Sequence, residues 1–143
     1  MASGFAPIKS SQPCPCGGGP YQDCCGPLHQ GLRKAQTAEA LMRSRYAAFA
    51  LAELTYLMET HPQPELSPRE RRRQLRSSCG PGQWRGLTIL RTTGGAAGDL
   101  EGTVCFEARH RSGLLRETSL FQRRDGLLSG DWLYIRALEL QET

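Results

Sequence analysis

Four of the six cysteines lie within twelve residues, and this cluster limits how the N-terminal part of the chain can fold. The spacing is C-x-C-x7-C-C, formed by Cys14, Cys16, Cys24 and Cys25. The segment has almost no apolar side chains to bury, so a metal ion has to supply its folding free energy, about 10–16 kcal/mol in small zinc modules. Residues 1–10 lack the apolar block of a secretory signal, which predicts the reducing cytoplasm, where clustered thiols bind metal rather than form disulfides.

An all-cysteine site predicts zinc, because four thiolates provide tetrahedral coordination, and iron is the alternative ion for the same ligands. Three glycines after Cys16 let the chain fold back close to the metal at positive φ. Two other interpretations stay open: neighbouring cysteines also form redox pairs, which would make the protein a thiol redox sensor, and three glycines also form linkers. His29, four residues after Cys25, is either a substitute ligand or a polar surface residue.

The residues Cys14-Pro15-Cys16-Gly17, Tyr21 and Cys24-Cys25-Gly26 resemble the SEC-C metal-binding motif, which ends the SecA translocation motor and occurs in several small bacterial proteins. The resemblance implies that the four cysteines are the metal ligands and that a protein partner belongs to protein export or to the ribosome. The loop between the pairs is one residue shorter than in the SecA type. Its usual lysines are replaced by Pro20, Gln22 and Asp23, so a partner surface built on those lysines is not expected.

Beyond the cysteines, apolar residues recur at intervals of three and four, which predicts helices. Thr37 is the expected N-cap of the first helix, on which Arg43 and Arg45 lie off the centre of the apolar stripe. Two further helices are expected at about residues 54–59 and from Ser67 to Leu75.

From Gln83 onward the apolar period changes to two, which predicts β-strands. Four strands are expected, with their inward positions at Leu87/Ile89, Val104/Phe106/Ala108, Leu115/Ser119/Phe121 and Trp132/Tyr134. The expected turns are Gly94-Gly95, the tight two-residue hairpin turn Ser112-Gly113, and Asp125-Gly126. Helices followed by an antiparallel meander predict an α+β fold in which a sheet wraps around helices.

Five short motifs in this part of the chain are Leu41-Met42-Arg43-Ser44-Arg45-Tyr46-Ala47-Ala48-Phe49, Thr60-His61-Pro62, Trp84-Arg85-Gly86-Leu87, Glu117-Thr118-Ser119-Leu120-Phe121 and Trp132-Leu133-Tyr134. Together they resemble the nuclear-transport-factor-2-like fold and, more closely, the bacterial YchJ family, which joins a SEC-C unit to that fold. The resemblance implies a metal knuckle at residues 1–30. It also implies an α+β cone at residues 31–143, with about three helices packed on a curved antiparallel sheet of about four strands.

Folds of this cone shape often keep a pocket between the sheet and the first helices. The candidate lining residues are Arg43, Tyr46, Trp84, Glu117, Trp132 and Tyr134. In one interpretation Glu117 acts there as an acid or base; in the other, which we favour, it forms an ion pair with Arg43 or Arg45. His61 is expected to make a capping or surface hydrogen bond rather than to act as a base. No complete catalytic motif is visible, which favours a binding protein over an enzyme.

The net charge of +4 is too small to indicate nucleic-acid binding by itself. The arginine-rich segment 69–76 is expected to be a solvated helix, with a basic surface for RNA or an acidic protein as the alternative. The longest hydrophobic run, from Tyr46 to Ala52, is far shorter than the about 20 residues of a membrane span. We therefore expect a cytoplasmic zinc-binding adaptor, with a small-molecule-binding protein or enzyme that uses the cone pocket as the alternative.

Overall fold

The α-helices precede all of the strands in the described part of the chain. In the computed structural model, which describes residues 11–80 and 82–143, they are α1 (Gly26–His29), α2 (Ala38–Leu51), α3 (Leu54–Glu59) and α4 (Pro68–Ser77). Thr37 caps α2 by accepting a hydrogen bond from the backbone N–H of Ala40, and Ser67 caps α4 in the same way. Both helix starts agree with the sequence. The first ten residues of the predicted 1–30 unit lie outside the described residues, and its boundary stays a prediction.

The strands form one antiparallel sheet in the order of the chain. They are β1 (Trp84–Gly94), β2 (Glu101–His110), β3 (Gly113–Arg123) and β4 (Trp132–Glu142). Irregularities interrupt the register of β1 between Ile89 and Arg91 and that of β3 between Leu120 and Phe121. Bulges of this kind bend a sheet and increase its twist. The predicted α+β fold is confirmed: the three expected helices are α2, α3 and α4, and α1 is a short fourth helix in the cysteine segment.

The hairpin between β2 and β3 differs from the prediction by one residue. His110 pairs with Gly113, so the two loop residues are Arg111 and Ser112, and the expected Ser112-Gly113 turn is wrong. Gly113 instead begins β3, where a Cβ atom would collide with the carbonyl oxygen of Thr143. The glycine is therefore explained by the close approach of the C-terminal backbone rather than by the turn.

Helix α2 is buried on almost every side. It packs against β1, β2 and β4, against α3, and against α1 of the cysteine segment. As a result Arg45, which the sequence placed off the centre of the buried stripe, is only 7% exposed. That prediction is wrong because a stripe analysis assumes one covered face, whereas the sheet, α3 and α1 cover this helix from different sides. Within residues 11–80 and 82–143, the structure has no helix with the length and apolar character to cross a membrane.

Candidate metal centre and cone cavity

A tight backbone turn carries the first cysteine pair. It closes through a hydrogen bond of 2.7 Å from the N–H of Cys14 to the carbonyl oxygen of Gly19. Gly17 and Gly19 have positive φ angles of 86° and 120°, as the sequence predicts. Gly18 lies directly against the sulfurs, because a Cβ atom there would be 2.8 Å from Sγ of Cys24. The three glycines therefore shape a loop around the thiols and are not a free linker.

The second cysteine pair follows a 3-10 turn (Tyr21–Asp23) and leads directly into α1. The four cysteine sulfurs all lie within 4.8 Å of one another, with 3.3 Å between Cys16 and Cys24 and 3.9 Å between Cys24 and Cys25. Four sulfurs around one zinc ion, at Zn–S distances of about 2.3 Å, are about 3.8 Å apart. The structure thus brings the four predicted ligands to distances that fit a single metal ion.

The cluster is too crowded for all four thiols to ionise without a cation. Hydrogen bonds from Cys14 and Cys25 lower the pKa of the Cys16 thiol to about 2. The pKa of Cys24 rises to about 12 because the thiol is buried and lies beside Cys16. The pKa of Cys25 is raised too, by its contacts with Cys14 and Cys16 and by burial. One thiolate is favoured, and the remaining protons are released when a metal dication binds.

His29 lies next to the cluster, but its ring nitrogens bond elsewhere. Its Nε2–H donates to the carbonyl oxygen of Ser44 at 2.8 Å, and its Nδ1 accepts from the hydroxyl of Tyr21 at 2.7 Å. Burial lowers the pKa of His29, which favours the neutral ring that this bonding pattern requires. His29 is therefore a half-buried link between α1 and α2, neither a substitute ligand nor a surface residue.

Arg43, a predicted pocket residue, faces the cysteine cluster instead. Its Nη1 donates to the carbonyl oxygen of Cys16 at 3.1 Å, and its Nε donates to the carboxylate of Glu39 at 2.9 Å. Residues two apart on a helix point about 200° away from each other, so Arg43 and Arg45 cannot face the same site. Arg43 places a positive charge beside the thiols of the candidate metal centre.

The cone cavity lies between α2 and the sheet and has a volume of about 350 Å³. Four of the predicted lining residues are in its wall: Tyr46, Trp84, Glu117 and Tyr134. Trp132 is outside it, fully buried under the start of α2, where its Nε1 donates to the carbonyl oxygen of Gln36 at 3.2 Å. Trp132 and Tyr134 share a strand face but are about 6.6 Å apart along β4, far enough to lie under different parts of α2.

The carboxylate of Glu117 is held by two hydroxyl groups. Its Oε2 accepts hydrogen bonds from Ser119 at 2.6 Å and from Tyr134 at 2.9 Å. The favoured ion pair with Arg43 or Arg45 is absent from the part of the chain that the structure describes. Instead, the Arg45 guanidinium donates to the carbonyl oxygen of Leu57 in the last turn of α3, where backbone carbonyl groups have no hydrogen-bond partner within the helix.

Two further cavity residues are Arg45 and His61, which the sequence analysis did not place there. The Nδ1–H of His61 donates to the carbonyl oxygen of Tyr134 in β4 at 2.9 Å, so the expected capping or surface hydrogen bond is wrong, and the bond is made inside the cavity wall. Burial and the nearby charge of Arg45 lower the pKa of His61. The motif Thr60-His61-Pro62 marks this position in the sequence, but it does not show where α3 docks, and the docking of α3 is what places His61 at the cavity.

The arginine-rich segment forms most of α4 and divides into two groups. The guanidinium of Arg71 is buried and donates to the carbonyl oxygens of Met58 and His61. The other four arginines are exposed: Arg69, Arg72, Arg73 and Arg76. The solvated helix is thus confirmed for these four, and contact with nucleic acid stays a prediction. Cys79 and Cys105 are not among the sulfurs of the cluster.

A family model described as YchJ, middle NTF2-like domain, matches residues 37–137. A UPF0225 protein of Streptomyces coelicolor is 46% identical over 125 residues, which cover 85% of this chain and 91% of that protein. A UPF0225 protein of Chromobacterium violaceum is 42% identical over 131 residues, covering 87% and 91%. Both alignments are longer than the match to the family model.

Two solved structures are similar to the chain over most of its length. The crystal structure of a SEC-C motif containing protein from Psychrobacter arcticus has a TM-score of 0.69 at 30% identity and covers 89% of this chain and 82% of that one. The solution structure of a SEC-C motif containing protein from Rhodopseudomonas palustris has a TM-score of 0.67 at 32% identity, with 91% and 100% covered. The chain therefore belongs to the YchJ family, together with the UPF0225 proteins, and carries a SEC-C-type cysteine cluster in front of the NTF2-like domain.

Proposed function

We propose that this protein is a zinc-binding adaptor of the cytoplasm, in which the metal orders the cysteine segment for binding to a protein partner. The observation that carries the proposal is the placement of four cysteine sulfurs within 4.8 Å of one another. Three of these cysteines are buried, and with the sulfur of Cys24 they form one compact group of the soft ligands that a structural metal ion takes.

A structural role for the metal follows from the ligand set. Four protein thiolates fill the tetrahedral positions of a zinc ion, so no position stays open for water or substrate. Zinc has no redox chemistry under cellular conditions and suits a site that only orders the chain. Iron is the alternative ion, and a metal-free, oxidisable cluster is the alternative state.

A cleft beside the metal centre is the surface on which we place the partner. It has a volume of about 450 Å³ and is lined by α1, the connector to α2, α3 and the start of β4. Arg33 and Lys34 of the connector are exposed at this cleft, whereas Arg124 is paired with Asp131 at 2.8 Å. The positive charges of Arg33 and Lys34 favour an acidic segment of a partner protein. The resemblance to SEC-C units supports a partner from protein export or from the ribosome.

The metal is tested on protein purified without a metal-affinity tag. We expect about one zinc ion per chain and four additional reactive thiols after chelation. Cys25→Ser removes a ligand and is expected to lose the metal, whereas Cys79→Ser, outside the cluster, keeps it. A wild-type protein that is metal-free and readily oxidised would contradict the proposal and favour a thiol redox sensor.

The adaptor role is tested by affinity capture and crosslinking with matched baits. We expect a genuine partner to be captured by the wild-type protein and by Arg85→Glu. Arg85→Glu is a charge reversal at an exposed position of β1 away from the cleft. The same partner should be lost on Cys25→Ser and on Lys34→Glu, and retained on Glu117→Gln. Recovery that does not differ among these baits, or loss only on Glu117→Gln, would reject the adaptor role.

A further inference from the structure

The cone cavity contains a buried cation that lacks an acidic partner. Arg45 is only 7% exposed, and its Nη1 donates to the carbonyl oxygen of Leu57 at 3.0 Å and to Oγ1 of Thr60 at 2.7 Å. Its Nε and Nη2 form no hydrogen bond to the residues that the structure describes, and the guanidinium lies over the ring of Tyr134, 5.0 Å from the ring centroid. The Nε and Nη2 groups can therefore donate to a further acceptor.

The unused N–H groups of Arg45 are not enclosed by other protein atoms. Arg45 is part of the cavity wall. Across residues 11–80 and 82–143, the one side-chain polar atom that is fully enclosed without a partner is Nε2 of His110. The free nitrogens of Arg45 are therefore within reach of a molecule in the cavity.

The two charged groups of the cavity wall are not paired with each other. Arg45 and Glu117 both line the cavity, but no ion pair joins them among the residues that the structure describes. Glu117 is already bonded to two hydroxyl groups, and His61 favours its neutral form there. Burial lowers the pKa of Arg45 to about 10, as expected for a cation that the protein compensates incompletely. A carboxylate placed beside Arg45 would supply the acidic partner that Glu117 does not provide.

The rest of the wall is apolar and aromatic. Its carbon surface comes from both α2 and the sheet, with Met42, Tyr46, Phe49, Trp84, Phe106 and Leu115. A volume of about 350 Å³ lies in the range of small-molecule sites, and such sites combine apolar walls with a few placed polar groups. A ligand for this cavity is thus a compact apolar body with one anionic end.

We propose that the cavity binds a small monocarboxylate with an aromatic or branched apolar body. The carboxylate bonds to the Nε and Nη2 groups of Arg45, and the apolar body packs against Tyr46 and Phe106. This site is separate from the cysteine cluster and does not depend on which metal the cluster binds.

The proposal is tested with three probes that share one apolar body: 4-phenylbutyrate, 4-phenylbutan-1-ol and 4-phenylbutylamine. Calorimetry on the full, metal-loaded chain is expected to show the acid binding at least about tenfold more tightly than the alcohol, the scale of one charge-assisted hydrogen bond. The amine is expected to bind most weakly. Equal binding of acid and alcohol, tighter binding of the amine, or no binding of the acid would each overturn the proposal.

Two variants locate the site. Arg45→Met should remove the preference for the acid, whereas Arg72→Met, an exposed arginine of α4 outside the cavity, should keep it. Arg45 also bonds to α3, so the fold of Arg45→Met is checked by circular dichroism. Leu115→Trp provides the second measurement, because it fills the cavity and leaves every charge in place. Leu115→Trp should no longer bind 4-phenylbutyrate, and an affinity for this acid equal to that of the wild type would overturn the proposal.

Discussion

The Nε2 nitrogen of His29 lies 2.8 Å from the backbone carbonyl oxygen of Ser44, and this bond fastens the cysteine segment to the NTF2-like domain. The Ser44 hydroxyl donates to the carbonyl oxygen of Leu41 and accepts from the hydroxyl of Tyr56, so the contact continues into α2 and α3. The buried cysteines and the apolar core of the domain belong to one hydrophobic cluster. The metal centre and the domain are therefore joined in the core.

Replacing His29 by Phe is expected to weaken this connection without removing the metal. The ring still fills the space, but Ser44 loses its donor and the Tyr21 hydroxyl loses its acceptor. We expect the free energy of unfolding to fall by about 1–3 kcal/mol, measured by urea denaturation. The metal content should stay at the wild-type value, because His29 is not a ligand.

The matched control for His29→Phe is Gln30→Ala, an exposed position at the end of the same short helix. It should change stability by less than about 0.5 kcal/mol. Loss of metal from His29→Phe at unchanged stability would show that the histidine is a ligand after all.

Gly18→Ala is expected to weaken metal binding while leaving all four ligands in place. The added Cβ would lie 2.8 Å from Sγ of Cys24 and 3.3 Å from Sγ of Cys16, so the loop has to move away from the sulfurs. We expect metal affinity to fall by about 10–100-fold, measured by competition with a chromophoric chelator. Gly98→Ala is the control, because a Cβ there meets no atom within 4 Å. Equal affinity in both variants would contradict the packing of Gly18 against the cluster.

Stability is expected to depend on pH through His61. Burial and the charges of Arg45 and Arg71 lower its pKa below the ordinary value of 6.5, with Glu65 acting in the opposite direction. The unfolded chain therefore binds a proton first as the pH falls below 6.5, and the folded state loses stability. For one proton the slope is at most about 1.4 kcal/mol per pH unit.

His61→Asn isolates this contribution, because the Asn side-chain amide can donate the same hydrogen bond to Tyr134 and does not titrate. The variant should show a shallower decrease of unfolding free energy below pH 6.5 than the wild type. Metal content is measured at each pH, so that acid release of the ion is separated from the histidine. An identical slope in both proteins would show that His61 is not held in its neutral form.

The metal ligands were predictable from the sequence because they are local. Cys14 and Cys25 are only eleven residues apart, and a glycine-rich turn between the pairs lets the chain fold back on itself, so the sequence spacing alone indicates the cluster. The strands were predictable for a similar reason, since the alternation around Phe106 and Phe121 records which sheet face is covered.

The cavity was predictable only in part, because its wall depends on how distant elements dock. Glu117 and Tyr134 follow from strand alternation once the covered face is known. Arg45 is buried because α3 and β4 cover a side of α2 that a helical pattern assigns to solvent. The pattern places Arg43 and Arg45 on opposite sides of the helix but does not state which one faces the sheet.

Arg43→Met is expected to weaken the metal centre through its surroundings. The substitution removes the hydrogen bond to the carbonyl oxygen of Cys16 and a positive charge that interacts with the Cys16 thiolate. Loss of such a supporting group typically lowers metal affinity by about 10–100-fold, and we expect faster transfer of the ion to a chelator. Arg116→Met is the matched control, because Arg116 also pairs with a glutamate, Glu107, but on the sheet surface. If both variants released metal at the wild-type rate, Arg43 would serve only to pair with Glu39.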